Sequence, residues 1–240
     1  MATLIFDIET VGERWDELDA TTQESLTRWV DRTHTGQERE ALRTDIRESL
    51  GFSPFTGSIV AIGLYDLERG GGVVYYVSES ADEESTHNAF TCKARSEDDM
   101  LAAFWDGARE YDTFVSYNGR RFDVPFLNIR SAVHGIAPSR DLMGSRYLRA
   151  GETLRHIDLQ DQLAYYGAAA RRPSLHVACR AFGIKSPKAE GVGGDDVAEL
   201  FRLKKFRDIA EYNAGDVIAT TELYKKWRDY LAPAHIRAEL

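Results

Sequence analysis

Thr3-Leu4-Ile5-Phe6-Asp7-Ile8-Glu9-Thr10 is the stretch on which the reading of this chain turns. Its β-branched and aromatic residues specify a strand. Side chains of a strand alternate between its two faces, so Leu4, Phe6 and Ile8 enter a core while Asp7 and Glu9 project together on the other side. Two carboxylates side by side on so apolar a strand repel each other and lose hydration. A divalent cation held by oxygen ligands offsets both effects. The pair also fits a strand that ends and turns its acids to water, and D-x-E alone does not choose between the two.

Working outward, residues 13–50 are rich in charge, with Leu26 and Val30, then Leu42, Ile46 and Leu50, at helical spacing. They predict two or three amphipathic helices inserted between the first two strands, too short and too polar to hold a core of their own. Ser58–Tyr65 and Val73–Val77, joined through Gly70-Gly71-Gly72, predict a hairpin. Helices are expected over 96–110, with Ser96 as its cap, over 124–134 before Gly135, and over 174–182 before Gly183. A short strand is expected at 113–117, and residues 156–159 fit either a strand or the entry to a helix. The last helices are placed at 196–203 and 206–230. The order gives a mixed α/β sheet with helices on both faces, in a single domain covering 1–240.

The 240 residues carry a net charge of −9, which by itself argues against a general nucleic-acid coat protein. The charge is uneven: residues 1–117 are net −14, 118–207 net +7, and 208–240 net −2. Polyanions respond to local charge, so the basic middle holds the candidate phosphate contacts Arg120, Arg121, Arg171, Arg172, Lys185 and Lys188. A solvated surface of uneven composition explains the same numbers. Cys92 and Cys179 are too few and too far apart for a zinc site or a disulfide framework. The longest apolar run, 59–65, is far short of a membrane span, and the first residues lack the pattern of a signal peptide. The expectation is a soluble, cytoplasmic protein with no membrane partner. The glycines at 191, 193 and 194 lack the Lys-Ser/Thr of a phosphate-binding loop, which excludes that class of nucleotide triphosphatase. The six histidines show no ligand spacing and read as structural or surface residues.

Two further clusters carry acids. In Tyr117-Asn118-Gly119-Arg120-Arg121-Phe122-Asp123 a strand ends and a helix begins, and Asp123 before Val124-Pro125 reads, taken alone, as a helix N-cap. In Tyr212-Asn213-Ala214-Gly215-Asp216, Tyr212 and Asp216 share a helix face, where a plain hydrogen bond between them is the simplest reading. Gly215 inside a helix costs about 1 kcal/mol relative to Ala, which points to a close approach there.

Together the three clusters resemble the DEDD-type 3′–5′ exonucleases of the ribonuclease H-like fold, whose motifs are D-x-E on the first strand, N-x-x-x-F-D before a central helix and Y-x-x-x-D on a late helix. Here they stand as Asp7-x-Glu9, Asn118-x-x-x-Phe122-Asp123 and Tyr212-x-x-x-Asp216, in the same order. The middle form is most similar to the exonuclease domain of family B DNA polymerases and its stand-alone relatives, as are Ser53–Gly63 and His156-Ile157-Asp158-Leu159. Tyr212, four before the last acid, matches the tyrosine subtype; the position five before it, which holds His in the other subtype, is Glu211. Relatives often carry Cys where Asn213 stands, a change expected to be minor.

The resemblance implies two Mg²⁺ or Mn²⁺ ions, with Asp7 bridging both. Glu9 and Asp216 complete the ion that carries the attacking water, Asp123 holds the second, and Tyr212 orients the water. It further implies Asn118 and Phe122 as nucleotide contacts and Thr10 as a main-chain contact near the terminal sugar. The substrate it implies is single-stranded nucleic acid with a free 3′ end, DNA before RNA. An exoribonuclease, a catalytically inert nucleic-acid-binding module and a structural interaction domain are the alternatives. The last leaves the Asp7–Glu9 pairing without a reason.

Overall fold

A computed structural model describes residues 2–80, 83–169, 171–186 and 196–240. The decisive stretch forms β1 (Thr3–Gly12), the interior of a seven-stranded sheet. It pairs antiparallel with β2 (Gly57–Asp66), which pairs antiparallel with β3 (Gly71–Tyr76) as the expected hairpin. β4 (Glu84–His87) and β5 (Phe90–Ala94) form a second hairpin, with β5 parallel to β3. On the other side of β1, β6 (Thr113–Ser116) and β7 (Arg155–Asp158) continue the sheet in parallel. The order across it is β4-β5-β3-β2-β1-β6-β7.

Helices α1 (Ala20–Thr33) and α2 (Gly36–Glu48) stand between β1 and β2, α3 (Glu97–Gly107) between β5 and β6, and α4 (Asp123–Val133) between β6 and β7. After β7 come α5 (Leu159–Leu163), α6 (Leu175–Phe182), α7 (Val197–Arg202), α8 (Phe206–Tyr230) and α9 (Ala234–Arg237). The starts and stops follow the local chemistry. Ser96 and Ser174 accept from the backbone N–H three residues on, and Gly183, at φ 68°, ends α6 in the left-handed region.

Both faces of the sheet are covered, so the helices lie as expected. On one face Leu4, Phe6 and Ile8 pack with Met100, Leu101 and Phe104 of α3 and Val124, Phe126 and Leu127 of α4. Phe6 meets Phe104 edge-on at 5.8 Å between ring centres. On the other face Ile5, Val60 and Val74 pack with Ile209, Val217, Leu223 and Tyr224 of α8. Truncating one such buried aromatic to Ala costs about 3–5 kcal/mol, so β1 is held firmly from both sides.

The sequence reading missed β4 and β5. In β5 only Phe90, Cys92 and Ala94 turn inward, an alternation too short to stand out, and β4 is a polar edge strand with no buried residue. Residues 156–159 resolve as both alternatives: a strand to Asp158, then a helix from Leu159. In the 13–50 stretch only Thr27, Val30 and Leu50 are buried, so these helices add little to the core. Cys92 and Cys179 are buried and unbonded. Among the described residues no helix is long and apolar enough to cross a membrane.

Candidate active site

β1 delivers the first two acids as its alternation dictates: Asp7 half-buried and Glu9 buried, with a register shift against β2 directly after Glu9. The third comes from the first half of α8, which lies across β1, β2 and β3. One carboxylate oxygen each from Asp7, Glu9 and Asp216 lies within 4.8 Å of the others. Tyr212, one turn before Asp216, is buried beside it and shares a hydrogen bond with its carboxylate.

Asp123 reaches the same place by a route the sequence obscures. Phe122 occupies the N-cap position of α4 and makes no side-chain cap bond, so the N-cap reading of Asp123 is corrected. Its buried carboxylate instead accepts from the backbone N–H of Ile8, between the two acids of β1, at 3.2 Å. The cause is the sheet itself. The β1–β6 pairing ends at Ile5–Val115, and further along β1 Asp123 supplies the acceptor that a strand would otherwise provide. The carboxylate stands beside the other three acids without joining the tight trio.

The electrostatics follow from crowding. Burial, then the charges of Asp123, Glu9 and Asp216, hold the Asp7 carboxyl well above its ordinary range, and the hydrogen bond from Asn213 opposes this. Burial pushes Asp123 up to about 7, with Asp158 and Asp216 adding to the rise. Burial and the Asp216 and Glu9 charges also raise the Tyr212 phenol, which is therefore a donor at neutral pH. Closely set oxygen donors that repel one another in the absence of a counter-charge suit hard divalent cations such as Mg²⁺ and Mn²⁺. The donor set fits the ions that the sequence suggests.

The loop that carries the second motif is strained and tightly tied. Asn118 has φ 65°, and a Cβ on Gly119 would lie 2.2 Å from Ser116 Oγ, so only glycine fits there. Buried Asp158 accepts from the backbone N–H of Asn118 at 2.9 Å and of Arg120 at 3.0 Å, and caps α5 through Gln160 and Asp161. The signal for Asp158 was present in His156-Ile157-Asp158-Leu159, but its use was not visible there. Nor was that of Asn213, whose amide donates to Asp7 Oδ2 at 2.9 Å. His156 is buried, its imidazole pushed down to about 3 by burial, and is structural as read.

The expected substrate contacts are disposed as follows. Thr10 Oγ1 donates to Gly51 O at 2.7 Å, so its hydroxyl fastens the turn Leu50–Phe52, and Thr10 itself stands opposite Ile59 of β2. The Phe122 ring packs between Phe126 and Phe52, and Phe52 is exposed. Arg120 donates to Gly144 O and Ser145 O, while Arg172 and Arg146 both pair with buried Asp161, so these arginines tie loops together. Arg121 and Arg171 are exposed. Lys185 and Gly215 line a cavity of about 440 Å³ with Tyr212, Phe90 and His87. Lys188 and the glycines at 191, 193 and 194 lie outside the described residues.

Residues 72–233, more than half of the chain, match a family model described as a predicted 3′–5′ exonuclease related to the exonuclease domain of PolB. The match includes Asn118, Asp123, Tyr212 and Asp216 and begins after Asp7 and Glu9. No curated protein matches the chain. Among solved structures it is similar to the family B DNA polymerase from the hyperthermophilic archaeon Pyrobaculum calidifontis, with a TM-score of 0.55 and 17% identity. That likeness covers 94% of this chain and 24% of the polymerase chain, so the chain spans about a quarter of the polymerase. At that identity the likeness shows the fold alone, a mixed sheet with helices packed on both faces.

Proposed function

Because the chain belongs to the family of predicted 3′–5′ exonucleases related to the exonuclease domain of PolB, we propose that it hydrolyses phosphodiester bonds one after another from the 3′ end of single-stranded nucleic acid, DNA in preference to RNA. In this reading residues 1–240 act as one exonuclease domain, with 13–50 an insertion in it. The observation that carries the proposal is the convergence of Asp7, Glu9 and Asp216 within 4.8 Å, with Asp123 bonded at Ile8 between the first two.

Asp7, Glu9, Asp216 and Asp123 would hold a pair of Mg²⁺ or Mn²⁺ ions, which when bound supply Lewis acidity to a water and neutralise charge at the scissile phosphate. The protein's own part is positioning. β1 and α8 are each fixed by packing on the sheet, so the carboxylates are held before any ion arrives. Tyr212, protonated at neutral pH, serves by donating or accepting a hydrogen bond that orients the attacking water; it is no general base. Phe122 and exposed Phe52 offer faces on which the bases of an unpaired strand can stack, and Asn118 and the main chain of Thr10, the residue after Glu9, would contact the terminal nucleotide.

The test is an end-labelled single strand of DNA or RNA incubated with Mg²⁺, Mn²⁺ or a chelator. The expected result is a metal-dependent ladder shortening from the 3′ end, with DNA cut faster, and its loss in Asp7→Ala. Faster cutting of RNA would reassign the substrate, and binding without cleavage under either metal would leave an inert module.

A further inference from the structure

Asn213 is fully buried on α8, pressed between that helix and the sheet. Its Nδ2 donates to Asp7 Oδ2 at 2.9 Å. In the ionised form that binds a cation the carboxylate only accepts, so the amide that bonds it presents its NH₂ to Asp7 and its carbonyl away from it. That carbonyl oxygen is buried and finds no hydrogen-bond partner among the described residues. Leaving an acceptor in that state is costly, so the orientation of the amide is dictated by Asp7 and not by its other neighbours.

The strand beneath is shaped to allow it. Gly63 of β2 is the register partner of Asp7. A Cβ at position 63 would lie 2.1 Å from Asn213 Oδ1 and 2.8 Å from Val217 Cγ2. Any side chain there would push the amide off the carboxylate. Residues from three elements therefore close around one hydrogen bond.

We propose that Asn213, admitted by Gly63, is a positioning residue that fixes the orientation of the Asp7 carboxylate for a divalent cation. The proposal rests on the reading of Asp7 as a cation ligand. With Oδ2 held by the amide, the carboxylate cannot swing freely, and its remaining lone pairs keep one direction. Partners of this kind, bonded to a ligand and not to the ion, commonly change metal affinity by about 10–100-fold when removed. Asn213 is thus more than the minor departure from Cys that the sequence suggests.

The test titrates Mn²⁺ calorimetrically into metal-free wild type, Asn213→Leu, Gly63→Ala and the double variant, with melting temperatures recorded alongside. Leu keeps the branching and size of Asn but donates nothing. The wild type is expected to bind Mn²⁺, and each single variant to bind at least about tenfold more weakly. The double variant is expected to be no weaker than the worse single one, because both changes break the same bond. Should Asn213→Leu not melt cooperatively, Asn213→Ala, which adds no atom to the core, makes the comparison. Unchanged Mn²⁺ affinity in a folded Asn213 variant, whatever its melting temperature, would overturn the proposal and leave the cation site standing. An additive double variant would remove Gly63 from it. Absence of Mn²⁺ binding by the wild type would defeat the reading of the site itself.

Discussion

At the scale of the residue, the site is a balance between charges that the fold forces together and the groups that soften the repulsion. Asp123 shows the balance most cleanly, because its carboxyl is buried and pushed up to about 7, against about 4 in an unfolded chain. Between those values the folded protein keeps a proton that the unfolded chain has released. This acid therefore makes the metal-free fold less stable as pH rises through that window. Asp123→Asn keeps an acceptor for the Ile8 amide and removes the charge. In chelator at pH 7.5 this variant should be more stable than wild type, by on the order of 2 kcal/mol, with the gap closing near pH 4. Urea unfolding at the two pH values measures it, and a gap of the same size at both would detach the effect from titration. Tyr212→Phe is the complementary change. It removes a hydroxyl that touches Asp216 while keeping the buried ring, so kcat should fall by roughly 10–100-fold with KM little altered. A change confined to KM in steady-state kinetics would place the phenol on the strand and not on the reacting water.

At the scale of the element, what matters is how strand ends and helix starts are fastened. Asp158 closes β7, caps α5 and accepts from the Asn118 and Arg120 amides, so one side chain registers the second-motif loop against the sheet. Asp158→Ala leaves these partly buried donors without their acceptor and should lower stability by about 2 kcal/mol in urea unfolding. Activity should fall with it even well below the melting temperature, because Asn118 and the start of α4 lose their anchor. Full activity per folded molecule would make Asp158 a cap and nothing more. This dependence also explains what the sequence could and could not disclose. β1 and the Tyr212–Asp216 face were legible because their periodicity is local: alternation in a strand, one turn in a helix. The role of Asp123 was not, since D-V-P looks like a cap and its true partner, Ile8, is 115 residues away. Asn213 and Gly63 carry no local signal either, because their fit exists only once α8 is laid on β2. β4 and β5 were missed for the opposite reason. Their patterns are local but too short, and parallel pairing of β5 with β3 is what gives Phe90 and Cys92 a core to face.

At the scale of the whole molecule, the 13–50 stretch poses the remaining structural question. It leaves the sheet after Gly12 and returns at Gly57, and these two residues are register partners, so the chain ends it joins are already adjacent. A tight turn of the kind that closes ordinary hairpins could replace it. Its two helices are joined by the Arg43–Asp31 ion pair, and of its residues only Thr27, Val30 and Leu50 are buried. The returning segment also sets Phe52 against Phe122, the residue before Asp123, with Thr10 fastening the turn that carries it. The stretch thus contributes little to the fold and something specific to the strand that would lie there. Replacing residues 13–56 by a short Asn-Gly turn should leave a cooperatively folding protein with an intact sheet by circular dichroism. The same deletion should raise KM for single-stranded DNA, while kcat at saturation stays within a few fold. Phe52→Ala alone should account for much of that rise, since one lost base–aromatic stack is worth about 1–3 kcal/mol, or roughly 5–150-fold. If the deletion variant fails to fold, the helices belong to the core after all. If it folds and binds as tightly as the intact chain, the strand passes elsewhere and Phe52 is no part of its track.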